Sequence, residues 1–206
     1  LRAAANPVVS EDAIRGVHVP TTATNPHSFQ LPVLMYHRIG PVRHDSKVPG
    51  HYVPKPLFRA QMAWLKMLRF ETVTMNQVHR ALTGQGRLPR RPIAITFDDA
   101  FECVHTQAFP VLRANGFSAT VFAVADHVGG ANTWDERLGD VTERLMSADQ
   151  LRQAIRHGIE IGSHTLTHPH LTELPVSEAK REVENSKQVL EAMLSQPVHS
   201  FCYPYG

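Results

Sequence analysis

The sequence predicts an α/β fold in which a parallel sheet or barrel is covered by helices. Short β-branched runs and amphipathic stretches alternate about six times along the chain, without a sequence repeat. Ionisable residues follow directly after several of the apolar runs, which is where chemistry collects in such folds. The chain has 206 residues, 42% of them hydrophobic, which is enough for one domain with its own core.

Composition excludes several classes of function. The formal charge is only +2 and the basic residues are scattered, so neither nucleic acid nor an anionic membrane is an expected partner. No apolar run approaches the roughly 18–20 residues of a transmembrane segment, and the N-terminus lacks the pattern of a signal peptide. Cys103 and Cys202 are expected to be buried thiols. Histidine is frequent, 13 of 206 residues, which suggests a metal site.

The first part of the chain is expected to be an extended arm. Residues 1–30 mix small and polar side chains with three prolines and show no sustained period. The chain begins at Leu1 rather than Met, which suggests a processed or engineered fragment. Residues 31–206 are expected to form a single domain.

The elements of that domain follow from periodicity and turn signals. Apolar, β-branched runs predict strands, and apolar residues that recur every three to four positions, such as Phe58, Met62 and Leu65, predict helices. Ser147 and Gln150 have the spacing of a capping box, and Pro110 predicts a kink. The predicted strands are 32–37, 72–74, 93–97, 119–124, 159–163 and 200–203, and the predicted helices are 57–69, 76–83, 102–114, 147–158 and 177–194.

Candidate functional residues stand at the carboxyl ends of these predicted strands. His37 ends the first strand, Asp98 and Asp99 follow the strand 93–97, and His164 follows the strand 159–163. Tyr205 lies just beyond the last predicted strand. Because the carboxyl ends of parallel strands meet at one edge, these side chains are expected to lie close together.

The spacing of His164 and His168 is a weak motif by itself. With 13 histidines in the chain such a pair arises roughly once by chance, and two exposed turn histidines are an equally good interpretation. Two imidazoles with one carboxylate, however, form the ligand set that binds Zn²⁺ or Fe²⁺ and leaves positions open. This co-location favours a metal site.

The adjacent aspartates fit hydrolytic chemistry. Two neighbouring carboxylates repel each other unless a cation or hydrogen-bond donors hold them, although a helix cap beside a solvated aspartate is the simpler alternative. At a metal site, one aspartate can bind the metal while its neighbour takes a proton from water. The sequence has no G-x-S-x-G motif, no phosphate-binding glycine loop and no G-x-G-x-x-G motif.

Three segments together resemble a known family. ITFDDA at 95–100, SHTLTHP at 163–169 and FCYPYG at 201–206 look like the first three motifs of the polysaccharide deacetylases with a NodB-homology domain, carbohydrate esterase family 4. The resemblance covers about residues 32–206. PVLMYHRIG at 32–40 also looks like the first strand of the subgroup that acts on poly-N-acetylglucosamine. The resemblance implies a distorted (β/α) barrel of the NodB-homology type, incomplete at its C-terminus.

The resemblance also implies roles for individual residues. Asp98 would be the general base, and Asp99, His164 and His168 would hold a divalent metal, zinc in the first place, with cobalt or nickel as alternatives. Tyr205 would offer its backbone N–H to the oxyanion. The implied reaction is the attack of metal-bound water on the acetamide carbonyl of an N-acetylglucosamine unit in a polysaccharide. Such polymer substrates suggest the cell envelope or the extracellular space.

The sequence departs from the family pattern in three places. Ala100 stands where the family commonly has Gly, and no Arg precedes the aromatic-Pro part of the third motif, near Cys202. The later motifs, a Trp/Asp segment and a Leu-x-x-His segment that supplies the general acid, have no counterpart after Gly206. We therefore expect the general acid to lie beyond residue 206 and the 206-residue chain to deacetylate slowly.

Three further residues have two interpretations each. His37 could contact the substrate or a metal ligand, or it could be a structural histidine bonded to a carbonyl. Trp134 could be a platform for sugar stacking or a loop aromatic that covers the rim of the barrel. His170 is expected to be a turn residue rather than a fourth metal ligand.

The sequence therefore predicts a metal-dependent polysaccharide N-deacetylase. One alternative is a carbohydrate-binding domain on the same scaffold that has lost turnover. A second is an O-acetyl esterase on another glycan, since the same attack by water would serve. A third is an α/β domain with incidental histidines, which would bind no metal. The oligomeric state is not encoded in any pattern that we can interpret.

Overall fold

The computed structural model describes residues 30–206, so the arm expected over residues 1–30 lies outside the described residues except for Gln30. None of the helices in the described part is both long enough and apolar enough to span a membrane. The strands are β1 (Val33–Tyr36), β2 (Arg38–Ile39), β3 (Tyr52–Val53), β4 (Glu71–Val73), β5 (Pro92–Phe97), β6 (Ala119–Ala123) and β7 (Ile159–Ser163). The helices are α1 (Lys55–Met67), α2 (Met75–Leu82), α3 (Phe109–Asn115), α4 (Ala148–Arg156) and α5 (Val176–Leu194).

Five strands form one parallel sheet in which β5 has the most partners. β1 pairs with one edge of β5, while β4 and β6 share the opposite edge. β7 pairs with β6 along its whole length, from Ile159 beside Ala119 to Ser163 beside Ala123. Since all these strands run in the same direction, their carboxyl ends lie at one edge of the sheet, as the sequence predicts.

The ladders extend one residue beyond the strands at this edge. Asp98 N donates to Tyr36 O at 2.9 Å, and His164 N donates to Ala123 O at 2.9 Å. The backbones of Asp98 and His164 are therefore held by the sheet, although both residues lie outside the strands. This is the structural basis for placing reactive side chains rigidly at the edge.

The helices cover the sheet through their apolar faces. Phe58 and Met62 of α1 and Leu151 of α4 are completely buried, as their periodicity predicts. α4 begins at the capping box that was predicted from Ser147 and Gln150. α2 begins at a second capping box, formed by Thr74 and Gln77, which the sequence analysis did not identify.

The predicted helix 102–114 is in fact two segments. Residues Val104–Ala108 form a π-helical turn, and α3 continues from there to Asn115. Pro110 has no N–H to donate to the carbonyl of Thr106, and its ring would crowd that carbonyl, so a wider turn before the proline relieves both problems. Gly116, with φ of +72°, ends the helix where the sequence predicts.

The predicted strand 200–203 is wrong except for one residue pair. Phe201 forms an isolated parallel bridge with Ser163. The next donor in such a ladder would be residue 204, which is a proline without an N–H. The carbonyl of Cys202 accepts instead from the imidazole Nδ1 of His164 at 2.9 Å. The final segment therefore lies along the edge of β7 and contributes to the site more than to the sheet.

Gly162 in β7 allows this close approach. A Cβ atom at Gly162 would lie 2.6 Å from the ring of Phe122 and 2.6 Å from Ser200 Oγ. Only glycine leaves room for both neighbours at this point of the strand. The final segment can consequently lie close to β7, with Phe201 beside Ser163.

Candidate active site

The three predicted metal ligands meet at the carboxyl edge of the sheet. Asp99, His164 and His168, here called the ligand triad, each offer one ligand atom, and these atoms all lie within 4.8 Å of one another. Asp99 Oδ1 lies 3.5 Å from His164 Nε2 and 3.2 Å from His168 Nε2. All three side chains are buried, with relative exposures of 2–7%.

The hydrogen bonds of the triad leave these atoms free to bind a cation. Because a carbonyl oxygen can only accept, the contact between His164 Nδ1 and Cys202 O places the proton on Nδ1 and leaves the Nε2 lone pair facing Asp99. Within residues 30–206 no donor makes a hydrogen bond of good geometry to Asp99 Oδ1. Two imidazole nitrogens and a carboxylate oxygen that converge in a buried place fit a divalent cation.

The electrostatic environment favours the same state of the triad. Burial lowers the pKa of His164 to about 4, so the imidazole is neutral near pH 7, as a metal ligand must be. Burial acts to raise the pKa of Asp99, but the neighbouring His168 and His164 hold it below its ordinary value. Asp99 is therefore an anion between two imidazoles.

Asp98 lies next to the triad in the chain but does not belong to it. Its side chain is 5% exposed, its Oδ1 has no hydrogen-bond partner among the described residues, and its Oδ2 lies 3.9 Å from Cys202 Sγ. Burial and then the charge of Asp99 raise the pKa of Asp98 to about 7. A carboxylate with this pKa can accept a proton and release it again near neutral pH.

Cys202, in the third motif, lies beside the candidate base, with its Sγ 3.9 Å from Asp98 Oδ2. Burial, followed by the negative charge of Asp98, raises the pKa of the Cys202 thiol to about 12, so it remains a neutral S–H donor. Cys202 was expected to be buried, but it is only half-buried, and its contact with Asp98 was not predicted. The only signal that could have predicted this contact is its position in the third motif.

Backbone strain concentrates at this site. Seven non-glycine residues of the described chain have positive φ, and five of them are Asp99, Ala100, Thr165, His168 and Tyr205. L-residues adopt this conformation at a cost of about 1 kcal/mol each, so it persists only where the surroundings enforce it. Ala100 has φ of 58°, which explains why glycine would be favourable at this position.

Tyr205 is brought to the triad by the final segment. Its hydroxyl lies 3.3 Å from His168 Nδ1, and its ring stacks on His170 with a centroid distance of 3.6 Å. His170 lies outside the triad, as predicted, and its ring supports Tyr205 instead. Within residues 30–206 the backbone N–H of Tyr205 donates to no carbonyl, so it is available to a ligand.

His37 lies near the triad at the end of β1. Its ring stacks on His51 at a centroid distance of 4.0 Å, and burial lowers its pKa to about 4, with Asp99 acting in the opposite direction. His37 is therefore neutral near pH 7 and lies within the electrostatic field of Asp99. No sequence pattern predicts its contact with His51, which stands in a loop of Pro, Gly and His residues.

Trp134 contacts the triad directly. Its indole stacks on His168 with a centroid distance of 4.6 Å and an interplanar angle of 21°. One face of the indole is therefore occupied by a predicted metal ligand, and Trp134 also lines a cavity of about 520 Å³. The cavity is lined in part by His168, His170 and Tyr205, so it opens beside the triad. The contact between Trp134 and His168 was not anticipated.

Arg38 anchors the loop that carries Trp134. The guanidinium is 1% exposed and forms ion pairs with Glu143 at 2.7 Å, Asp135 at 3.5 Å and Asp140 at 3.9 Å. Its Cζ also lies 4.0 Å from the centroid of the Phe101 ring. We call Arg38 and its three carboxylates the Arg38 cluster. Sequence reasoning missed it because the carboxylates lie about a hundred residues away along the chain.

Comparison with known proteins points in the same direction as the geometry. A family profile described as polysaccharide deacetylase matches residues 85–206. The protein YxkH of Bacillus subtilis (strain 168), which carries a provisional polysaccharide deacetylase name, is 30% identical over 177 residues. That match covers 86% of this chain and 57% of the relative.

A second relative carries a more specific name. The poly-beta-1,6-N-acetyl-D-glucosamine N-deacetylase of Staphylococcus epidermidis is 24% identical over 171 residues, which cover 79% of this chain and 56% of the relative. The chain thus spans a little over half the length of the curated relatives that it matches.

A solved structure shows the same fold. IcaB from Ammonifex degensii superposes with a TM-score of 0.71 at 24% identity, covering 85% of this chain and 74% of that chain. The predicted α/β architecture with a parallel sheet, a distorted barrel, is confirmed by this match.

Proposed function

Since the chain belongs to the polysaccharide deacetylase family, we propose that it removes N-acetyl groups from a polysaccharide that contains N-acetylglucosamine. The observation that carries this proposal is the convergence of the buried ligand triad beside Asp98, a buried carboxyl with a pKa of about 7 that binds no partner through Oδ1. A domain that only binds sugar has no need of such a base next to a metal site.

Asp99, His164 and His168 would hold the metal, with zinc as the first candidate and cobalt or nickel as alternatives. Bound there, a divalent cation would act as a Lewis acid toward water and the acetyl carbonyl. Neutral His164 and anionic Asp99 are already in the protonation states that binding requires. The stack of Trp134 on His168 fixes the plane of one ligand ring.

Asp98 would be the general base. It lies beside the triad, is almost fully buried and has one oxygen free to accept the proton of the attacking water. The Cys202 thiol, 3.9 Å from the other carboxyl oxygen, would limit rotation of the Asp98 side chain. The Tyr205 N–H would donate to the oxygen that becomes negative when water attacks the acetyl carbon.

The departing nitrogen needs a proton before the C–N bond breaks. The family resemblance implies that a histidine beyond the third motif supplies it, and that assignment stays a prediction. Within the described chain His37 is the first candidate, since it is neutral, largely buried and close enough to the triad to respond to Asp99. To act as the acid, His37 would first have to receive a proton.

The polymer assignment rests on similarity and on the cavity. The Staphylococcus epidermidis relative is named for poly-beta-1,6-N-acetyl-D-glucosamine, and the open cavity beside Trp134 and Tyr205 could admit a sugar. A polymer of this kind would place the enzyme at the cell envelope or outside the cell.

The test combines metal analysis with acetate release. The purified protein, loaded with Zn²⁺, is assayed on β-1,6-linked N-acetylglucosamine oligomers, on chitin oligomers and on O-acetylated xylan. Asp98→Asn should keep its metal and lose about 10²- to 10⁴-fold in turnover, because an amide cannot accept the proton. The matched control is Asp149→Asn, at an exposed carboxylate on α4.

Each outcome discriminates between the candidate functions. Absence of bound metal in the wild type would contradict the proposal. Metal without acetate release from any substrate would favour the binding domain, and release from xylan alone would favour the esterase. Asp98→Asn with activity within a few-fold of wild type would show that another residue is the base.

A further inference from the structure

α5 has a carboxylate on its buried side that belongs to neither the ligand triad nor the Arg38 cluster. Glu182 is 6% exposed, although the periodicity of the helix predicts an aliphatic buried face. Among residues 30–206 no Lys, Arg or His side chain forms an ion pair with Glu182. A buried carboxylate without a cationic partner is costly, so its contacts must compensate for the loss of hydration.

The hydrogen bonds of the Glu182 carboxylate all go to the loop between the two histidines of the triad. Oε2 accepts from the backbone N–H groups of Leu166 and Thr167, each at 2.9 Å. Oε1 accepts from the Thr167 hydroxyl at 2.9 Å. One side chain on α5 therefore accepts from three donors within the five residues from His164 to His168.

The same loop has a conformation that needs support. Thr165 has φ of 69° and His168 has φ of 63°, both left-handed in residues other than glycine. On the other side of the loop, the carbonyl of Thr165 accepts from Ala125 N at 3.1 Å and the carbonyl of Leu166 accepts from Asp126 N at 3.0 Å. Glu182 and the segment after β6 thus hold the loop from opposite sides.

We propose that Glu182 is a positioning residue for the metal site, which orients the Nε2 atoms of His164 and His168 by fixing the loop between them. This inference rests on the proposed metal site, since it concerns the geometry that the metal would find. Without the carboxylate, the two N–H groups lose their acceptor and the strained loop relaxes, so the two imidazoles no longer converge on Asp99.

The experiment measures Co²⁺ binding rather than activity. Co²⁺ is titrated into the metal-free protein, and both the affinity and the visible absorption bands of the bound ion are recorded. Glu182→Leu removes all three hydrogen bonds and should weaken Co²⁺ binding by about 10- to 100-fold and shift the absorption bands. Glu182→Gln keeps an oxygen that can accept from Leu166 and Thr167, and it should restore most of the affinity.

The same helix provides a matched control. Glu184 is two residues away, exposed, and paired with Lys180 at 3.7 Å, so Glu184→Leu should bind Co²⁺ like the wild type. Should Glu182→Leu fail to fold, Thr167→Val removes only the hydroxyl contact and should weaken binding by a smaller factor. Circular dichroism of each variant confirms that the affinities compare folded proteins.

The outcomes separate this inference from the proposed function. A folded Glu182→Leu that binds Co²⁺ with the affinity and spectrum of the wild type would overturn the inference alone. A wild type that binds no Co²⁺ would overturn the proposed metal site and the inference with it. Weak binding by Glu182→Leu, with recovery in Glu182→Gln, supports a positioning role, because a merely stabilising role would change the unfolding midpoint and leave the spectrum unchanged.

Discussion

The Arg38 cluster and the ligand triad both hold charged groups away from water, but they neutralise them in opposite ways. In the Arg38 cluster the chain supplies its own cation, which lies 2.7 Å from Glu143 and shares its remaining donors with Asp135 and Asp140. In the ligand triad, the carboxylate of Asp99 lies between the imidazoles of His164 and His168, and the low pKa of His164 leaves that ring neutral near pH 7.

The difference shows how a binding site is recognised in a folded chain. Further donors complete the Arg38 cluster, since Lys47 N donates to Asp140 at 2.7 Å and Asn132 Nδ2 donates to Asp135 at 2.7 Å. Among the described residues Asp140 Oδ2 and Glu143 Oε2 make no hydrogen bond of good geometry, but both lie within 3.9 Å of the Arg38 guanidinium. Within residues 30–206, Asp98 and Asp99 form no ion pair with a lysine or arginine, and only imidazoles lie close to Asp99 Oδ1. Buried carboxylates without a cation from the chain fit the binding of a ligand, whereas a cluster that contains its own cation fits a role in stabilising the fold.

The largest expected effect breaks the self-neutralised cluster. Arg38→Met keeps most of the apolar volume but leaves the buried carboxylate of Asp140 and the half-buried carboxylate of Glu143 without their cation. We expect the free energy of unfolding to fall by about 3–5 kcal/mol, measured by urea denaturation of the metal-free protein. A milder variant, Glu143→Gln, should lose less because the guanidinium keeps Asp135 and Asp140.

A loss for Arg38→Met no larger than that of an exposed arginine would contradict this view of the cluster. It would mean that the carboxylates reach water when the guanidinium is removed, so that the cluster is not a closed unit.

The second prediction concerns the effect of a divalent cation on the stability of the protein. Zn²⁺ at 100 times its dissociation constant should raise the free energy of unfolding by about 2.7 kcal/mol, since the triad exists only in the folded state. His168→Ala should lose this gain, whereas His170→Ala should keep it because His170 lies outside the triad. The gain is measured as the difference between denaturation curves with Zn²⁺ and with a chelator.

Equal stabilisation of wild type and His168→Ala would show that Zn²⁺ binds elsewhere. In that case the convergence of the three ligand atoms would have no thermodynamic consequence, and the contrast with the Arg38 cluster would be lost.

The third prediction concerns the proton on Asp98 in the metal-free protein. Burial raises the pKa of Asp98 in the folded state to about 7, against an ordinary value of 3.8, so between these values the folded state holds a proton that the unfolded state has lost. Stability from this group is therefore greatest at low pH and falls as pH rises. The stability of the wild type relative to Asp98→Asn should decrease by about 1.4 kcal/mol between pH 5 and pH 6.

The comparison with Asp98→Asn removes the effect of other titrating groups. The low pKa of His164 makes the folded state less stable as pH falls, but this contribution is common to both proteins. With Zn²⁺ bound, the cation favours the Asp98 carboxylate, so the pH dependence of the difference should shrink. A difference that stays constant with pH in the metal-free protein would contradict the raised pKa.

The sequence predicts the sheet and the candidate ligands because both depend on local patterns. Ile93–Phe97 reads as a buried strand from its apolar residues alone, and Asp98 and Asp99 follow it within the same motif. The ladder that continues to Asp98 N then fixes the carboxylates at the predicted edge. His164 is placed in the same way by β7, so the triad follows from strand ends and spacing.

What the sequence did not predict depends on contacts between distant residues. Glu182 lies at steps of four residues from Leu190 and Leu194, on the buried side of α5, although a carboxylate is usually solvated. Only the fold shows that the loop of Thr167 supplies its hydrogen-bond donors. Arg38 reads as one scattered basic residue until its partners are known. The strand predicted over 200–203 does not form. Pro204 has no N–H for the next hydrogen bond of the ladder, and the carbonyl of Cys202 accepts from His164 Nδ1 instead.

The smallest effect is expected at an ion pair with better geometry than most of the Arg38 cluster. Arg43 Nη2 lies 2.6 Å from Asp45 Oδ2 and Arg43 Nε lies 3.0 Å from Asp45 Oδ1, a two-pronged contact, yet the side chains are 43% and 60% exposed. Water and salt screen this pair, and holding two mobile side chains offsets the attraction. Arg43→Met should therefore leave the urea midpoint unchanged within error, at low salt and at high salt alike. A loss as large as that of Arg38→Met would mean that the distance between the charges, rather than their burial, decides the stability of ion pairs in this protein.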